Sequence, residues 1–301
     1  MLWQRRQPSD AHRKQDLGMR VRKAIITAAG VDRTQLPLQT VVDRVGRVRT
    51  ALDLLIDEVV AAGIEEIAVV IRPGLKPDFK QAATDHAATL EFIEQDHPRG
   101  YGDAVLRTRA FVGNAPFLHL VHDHLYVSRS RVACAKQLID IAERENCAVS
   151  AIQATRENQL AYFGAIGGIP IPRQSRLYEI RTVIEKPTPT EAEQKLMVAG
   201  QRAGHYLCLF GMHVLTSEIF DLLQHDLERL PAGASLNLSG ALAQFASSHR
   251  YLAAELEGVR YDIGEKYGLL IAQLAIALSG DDRDRILTEM LELVAKSSPH
   301  A

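Results

Sequence analysis

Cysteine is scarce in this chain of 301 residues: Cys134, Cys147 and Cys208 lie far apart and form no Cys-x-x-Cys pair. That spacing excludes a disulfide framework and a zinc knuckle, and leaves three small buried hydrophobes suited to a reducing compartment such as the cytoplasm. Charge of one sign is also lacking. A net charge of -2 offers no electrostatic basis for binding nucleic acid or an anionic membrane surface. No apolar run approaches the ~18 residues of a membrane span, and the polar, basic stretch 1–19 lacks the apolar centre of a secretion signal. Residues 1–20 therefore read as a disordered leader, with Met19 as an alternative start. No Gly-x-Gly-x-x-Gly follows the first strand, and the second ends Val70-Ile71-Arg72-Pro73 without an acidic residue for a ribose, which argues against a nicotinamide-dependent oxidoreductase.

What is present is an alternation. Lys23 to Gly30 is an apolar run that ends in Ala28-Ala29-Gly30, residues with little or no side chain. Such an ending lets a phosphate-bearing ligand approach backbone N–H groups at a strand's carboxyl end. Arg49–Ala62 has helical spacing and stops at Gly63. There follow a strand at Ile67–Ile71, a helix over Lys76–Ala87, a strand at Leu90–Ile93, a helix over Gly102–Phe111, a strand at Phe117–Val121, a helix over Arg131–Arg144 and a strand at Ala148–Gln153. Repeated βαβ units with apolar strands predict an α/β fold, a mostly parallel sheet with helices on both faces. Beyond Tyr162 the helices thin out. Strands at Tyr162–Ile166, Leu177–Ile184 and His205–Val214 make the sheet mixed. Helices are expected over Ser217–Gln224, Ser235–Phe245, Lys266–Leu278 and Asp282–Val294, with a strand at Tyr251–Leu256. One domain over 21–280, with a terminal helix and tail at 281–301, fits this order. Leu274, Leu278, Ile286, Leu287, Leu291 and Leu293 can pack within the subunit or against a second copy, so a homo-oligomer is compatible with the sequence.

Chemistry-bearing residues cluster where strands end. Gln95 offers a donor and an acceptor suited to a base edge, and Gly100 and Gly102 permit close backbone approach. Asp123, after Phe117–Val121, and Asp262, before Gly264, are strand-end carboxylates able to share a divalent ion. His122 and His124 flank Asp123. In an extended chain they point to the side opposite Asp123, and with no third ligand evident they read as hydrogen-bonded structural residues rather than a metal site. Glu185 and Lys186 arrive side by side before Pro187, a carboxylate suited to sugar hydroxyls and a point charge suited to phosphate.

Taken in order, Ala61-Ala62-Gly63-Ile64-Glu65-Glu66-Ile67, Gly100-Tyr101-Gly102-Asp103-Ala104-Val105, Tyr162-Phe163-Gly164, Ile184-Glu185-Lys186-Pro187, Phe210-Gly211-Met212-His213-Val214-Leu215 and Tyr261-Asp262-Ile263-Gly264 resemble the bacterial UTP-glucose-1-phosphate uridylyltransferases. These belong to the sugar nucleotidyltransferases, with a Rossmann-like nucleotide-diphospho-sugar transferase fold. The resemblance runs from about Lys23 to about Leu278. It implies Mg²⁺-dependent transfer of a uridylyl group from UTP to a sugar-1-phosphate. Ala28, Ala29 and Gly30 would meet the nucleotide, Gln95 and Gly100 the uracil, and Gly164 and Glu185 the sugar. Lys186 would meet the phosphates, and Asp123 and Asp262 the metal.

The first loop departs from the family. In place of Gly-Thr-Arg and a later Pro-Lys, this chain has Val31-Asp32-Arg33-Thr34, so Asp32 replaces the second glycine and Thr34 the arginine. No lysine follows until Lys76. An anion within ~4 Å of a polyanion costs about 4 kcal/mol in a partly desolvated site. Arg33 or Arg44 is then the cation left to act on the triphosphate, and Asp123, Lys186 and Arg33 are the expected catalytic set. Ser235-Leu236-Asn237-Leu238-Ser239-Gly240 replaces an acidic family segment, and Glu265 replaces an asparagine. Glucose is therefore the default sugar. The altered loop also suits a second reading, a non-catalytic relative that binds nucleotide sugars as a regulatory protein.

Overall fold

β1 (Lys23–Thr27) alternates between two cores: Ala24 and Ile26 are buried in one, Ile25 in the other. A strand covered on both faces can be apolar along its whole length, as this one is. The computed structural model describes residues 18–30, 33, 35–83 and 86–297. Asp32, Thr34 and most of the expected leader thus lie outside the described residues. After β1 come a hairpin of β2 (Thr40–Val42) and β3 (Val48–Thr50), α1 (Ala51–Val60), β4 (Glu66–Ile71), α2 (Lys76–Ala82) and β5 (Thr89–Glu94). The chain goes on through α3 (Tyr101–Leu106), α4 (Arg109–Val112), β6 (Phe117–Val121), β7 (His124–Ser128), α5 (Cys134–Glu145) and β8 (Ala148–Arg156). Its second half holds β9 (Ala165–Pro170), β10 (Leu177–Ile184), α6 (Pro189–Lys195), β11 (His205–Leu215), α7 (Glu218–Glu228) and α8 (Leu238–Ser248). It closes with β12 (Tyr251–Glu255), β13 (Gly258–Asp262), α9 (Gly268–Leu278) and α10 (Arg283–Ser297).

Nine strands form one mixed sheet in the order β5-β4-β1-β6-β11-β8-β12-β10-β9. Only β10 and β11 run against the other strands, so the predicted α/β architecture holds. Helices cover both faces: α1 and α5 supply Leu52, Leu55 and Leu138 to the core of Ile26, while α3, α7 and α8 supply Val105, Phe220 and Leu242 to that of Ile25. Cys134, Cys147 and Cys208 are free and buried, as expected. Among the described residues no helix is long and apolar enough to cross a membrane.

Local chemistry sets the element ends. The Thr50 hydroxyl accepts from the Asp53 N–H at 3.1 Å, an N-cap that starts α1. The same hydroxyl donates to the Ala82 carbonyl at 2.7 Å, and His86 lies 2.8 Å from Asp53. These contacts end α2 five residues before the expected Ala87, a tertiary override of helical periodicity. The helix expected over Gly102–Phe111 is likewise divided, because buried Thr108 donates to the Val105 carbonyl at 2.7 Å and breaks the ladder between α3 and α4. The strand expected from Tyr162 begins at Ala165 instead, and Glu157–Tyr162 is a 3₁₀ turn.

Leu52 is fully buried on the inner face of α1. Leu52→Ala should destabilise the protein by about 2–5 kcal/mol in chemical denaturation, whereas Leu291→Ala, at an exposed site, should change it by less than about 0.5.

Candidate active site

The carboxyl ends of β1, β5 and β6 open onto one cavity of about 470 Å³. Ligands bind outside strand ends in open α/β sheets because the loops there diverge and leave a crevice. Ala29 and Gly30 enter the wall from β1, Gln95 and Gly100 from the segment after β5, and Asp123 from the turn after β6. The opposite side carries Gly164 before β9, Glu185 and Lys186 after β10, and Asp262 at the end of β13. Ala28 does not join them. Its side chain is in the core and its N–H donates to the Val70 carbonyl at 2.7 Å, so the strand ladder extends one residue beyond β1 and takes the group expected for the nucleotide.

Gln95 is almost fully buried. Its amide N–H groups donate to the Asp103 carboxylate at 2.7 Å and to the Gly100 carbonyl at 3.2 Å. With both donors engaged, only its carbonyl oxygen remains to meet a ligand, where the sequence suggested both functions. Asp103 is the hub of this corner, also 3.2 Å from Arg99 and 3.6 Å from Arg107. Its place in Gly100-Tyr101-Gly102-Asp103 was visible in the sequence, but an aspartate in the first turn of a helix reads as ordinary dipole compensation.

On the opposite side Ser239 donates to Glu185 at 2.5 Å. Gly164 faces both: a Cβ there would lie 3.1 Å from the Glu185 carboxylate, 3.3 Å from the Ser239 hydroxyl and 3.0 Å from Leu209. A larger residue would fill the pocket that the carboxylate faces. Lys186 has φ 45°, an unusual conformation for a residue with a side chain, and makes no ion pair among the described residues. Its ammonium is available to an incoming anion. Ser239, Asn237, Thr27 and His213 also line the cavity, and none of them was among the expected site residues. His213, hydrogen-bonded to Ser150 at 2.5 Å, is pushed down to about 4 by burial and is thus a neutral part of the wall.

The two strand-end aspartates meet through a two-stranded antiparallel sheet between distant parts of the chain, which the sequence did not foretell. β7 and β13 pair antiparallel with Asp262 opposite His124, which sets Asp262 beside Asp123. His122 and Asp123 form a turn rather than a continued strand, so His122, Asp123 and His124 all border the cavity instead of alternating. The histidines are structural. His122 lies 2.6 Å from the Thr27 carbonyl and 3.1 Å from that of Arg33, while His124 faces the Phe210 carbonyl at 3.3 Å. No cluster of three or more His, Cys, Asp or Glu able to hold a metal occurs among the described residues.

Arg33 is where the largest departure lies. The sequence assigned it to a triphosphate. Its Nη1 instead donates to Asp123 at 2.7 Å and to Asp262 at 3.2 Å, bridging the two carboxylates. Burial pushes the Asp123 carboxyl up, but His124, His122 and Arg33 outweigh it and hold Asp123 below the usual carboxylate range. Asp262 is also held low: burial and the Asp123 charge oppose ionisation, and His124 and Arg33 favour it. Both groups are therefore anions converging on one cation. Two hard oxygen donors of this kind suit Mg²⁺ held jointly with ligand phosphates and water, and the guanidinium between them marks the point as a cation seat.

Residues 41–278 match the family described as nucleotidyl transferase. The matched region begins after β1 and its altered loop. The chain is 29% identical to the UTP–glucose-1-phosphate uridylyltransferase of Streptococcus pneumoniae serotype 4, over 86% of this chain and 91% of that protein. It is 30% identical to UTP–glucose-1-phosphate uridylyltransferase 1 of Streptococcus pyogenes serotype M3, over 86% and 90% respectively. Among solved structures, a UDP-glucose pyrophosphorylase complexed with UDP-glucose superposes with a TM-score of 0.70 at 22% identity, covering 85% of this chain and 98% of that one. A UTP-bound UGPase from Acinetobacter baumannii gives 0.70 at 21%, over 93% and 100%.

Proposed function

The chain belongs to the nucleotidyl transferase family, and from that premise we propose that it is a UTP–glucose-1-phosphate uridylyltransferase. In the reaction a phosphate oxygen of glucose-1-phosphate attacks the α-phosphorus of UTP in line. The bond from that phosphorus to the bridging oxygen breaks, and UDP-glucose and pyrophosphate result. The nucleophile is already an anion, so no general base is required, and catalysis reduces to positioning and charge neutralisation.

One observation carries the reading: Asp123, Asp262 and the adjacent pair Glu185 and Lys186, from three separate strand ends, border a single cavity next to Gly30. In the roles we assign, the Gln95 carbonyl accepts the uracil N3–H beside Gly100. Ala29 and Gly30 leave room for the phosphates at the end of β1. Lys186, free of carboxylate partners among the described residues, binds phosphate as a point charge. Glu185, oriented by Ser239, accepts hydrogen bonds from paired sugar hydroxyls in the space that Gly164 leaves open. Asp123 and Asp262 are the residues to hold Mg²⁺, which when bound neutralises phosphate charge. The three free buried thiols favour the cytoplasm as the place of action.

Pyrophosphate release from UTP by the purified protein tests this. Release should require glucose-1-phosphate and Mg²⁺ together and should be weakly inhibited by dTTP. Protein that binds UDP-glucose but releases no pyrophosphate with any nucleotide would instead be a non-catalytic relative, the reading favoured by the altered loop.

A further inference from the structure

Arg33 sits in a prepared seat. Besides Asp123 and Asp262, its Nη2 lies 3.6 Å from Glu265, so three carboxylates surround one guanidinium. Gly264 forms the floor: a Cβ there would come within 2.6 Å of the guanidinium carbon and Nη1, so any larger residue would expel the group. The backbone is fixed as well, since the His122 ring packs with its Nε2 3.1 Å from the Arg33 carbonyl. The side chain is 37% exposed, which leaves the head an exit on one side. Glu265 and the displaced arginine are both departures from the family sequence, and in the fold they face each other.

We propose that Arg33 and the divalent cation share one site, the guanidinium occupying the Asp123–Asp262 pair in the free protein and leaving it when metal enters. This rests on the assignment of those carboxylates to the metal. A divalent ion bound at ~2.1 Å from carboxylate oxygens claims the space that Nη1 now fills, and two cations that close repel. Metal entry therefore requires Arg33 to move. Once displaced, Arg33 is a cation shared between Glu265 beside it and an incoming triphosphate. The arginine thus serves as a latch on the empty site, and the cation-poor loop makes its release part of nucleotide binding.

The test is Mn²⁺ binding to the full chain without nucleotide, followed by electron paramagnetic resonance of the free ion. Arg33→Gln should tighten Mn²⁺ binding at least tenfold over the wild type, and adding Asp123→Asn to it should abolish the gain. Gly264→Ala, which leaves Arg33 present but removes its floor, should act in the same direction and carries the test if Arg33→Gln fails to fold. In EDTA Arg33→Gln should melt lower than the wild type, because two half-buried carboxylates lose their counter-ion, and Mn²⁺ should restore the loss. Equal Mn²⁺ affinity in wild type and Arg33→Gln, still abolished by Asp123→Asn, would overturn the latch and leave the metal assignment intact. Binding indifferent to Asp123→Asn in every background would overturn both.

Discussion

Asp123→Asn is expected to lower kcat for pyrophosphate release by about 10³-fold or more, which corresponds to ~4 kcal/mol of transition-state stabilisation. The substitution keeps the size of the side chain and one acceptor oxygen but removes the Asp123 charge from the cation seat. What is lost is electrostatic. Phosphoryl-type displacement spreads negative charge over the transferring group, and its rate depends on how that charge is neutralised rather than on covalent help from the protein. Folding should be little disturbed, because Asp262 and Glu265 still hold Arg33. Initial rates at saturating UTP and sugar phosphate check this. Turnover within tenfold of the wild type would remove Asp123 from the chemistry.

Gly100→Ala should have a large structural effect at the site. Gly100 has φ 109° and ψ 179°, a conformation essentially confined to glycine. Its missing Cβ would also lie 2.5 Å from the Leu236 carbonyl oxygen and 2.8 Å from its nitrogen, with the Ser235 hydroxyl nearer still. At this point the segment before α3 is joined to the one before α8. The Leu236 N–H donates to the Arg99 carbonyl at 2.7 Å and the Gly102 N–H to the Leu236 carbonyl at 2.8 Å. The added methyl must push these backbones apart and break both bonds. We expect a stability loss of about 3 kcal/mol or more and at least a tenfold rise in KM for UTP. Gly113→Ala is the control. Its φ is 63°, but nothing lies within 4 Å of the new Cβ, so it should cost about 1 kcal/mol and leave KM unchanged. Equal losses in the two variants would show that backbone conformation, and not the close approach to Leu236, governs Gly100.

Much of the architecture was readable in advance because its causes are local. Apolar runs such as Phe117–Val121, bounded by loop residues, appear as strands with the predicted ends. Helix boundaries were less legible wherever a distant group intervened. Nothing near Ala82 in the sequence indicates that Thr50 will take its carbonyl, and Thr108 looks like an ordinary helix residue until it is buried. Among the candidate site residues, those whose place depends only on standing at a strand end, such as Gly30, Asp123, Glu185 and Asp262, do line the cavity. Those whose contacts depend on a partner elsewhere in the chain could not be foreseen. Ser239 meets Glu185 only in the fold, and the Gln95 donors are engaged there by Asp103 and the Gly100 carbonyl.

By itself the sequence determined the α/β class, the two-faced burial of β1 and the set of carboxylates and cations at strand ends, since periodicity, capping and chain punctuation act over a few residues. Only the tertiary structure decided which of those groups meet. Asp123 and Asp262 converge because β7 and β13 pair in a register set by long-range packing, and Arg33 lies between them because Gly264 leaves space for a guanidinium. Those contacts join residues far apart in the chain, and their geometry depends on strand register and on the absence of a single methyl group, neither of which a local pattern encodes.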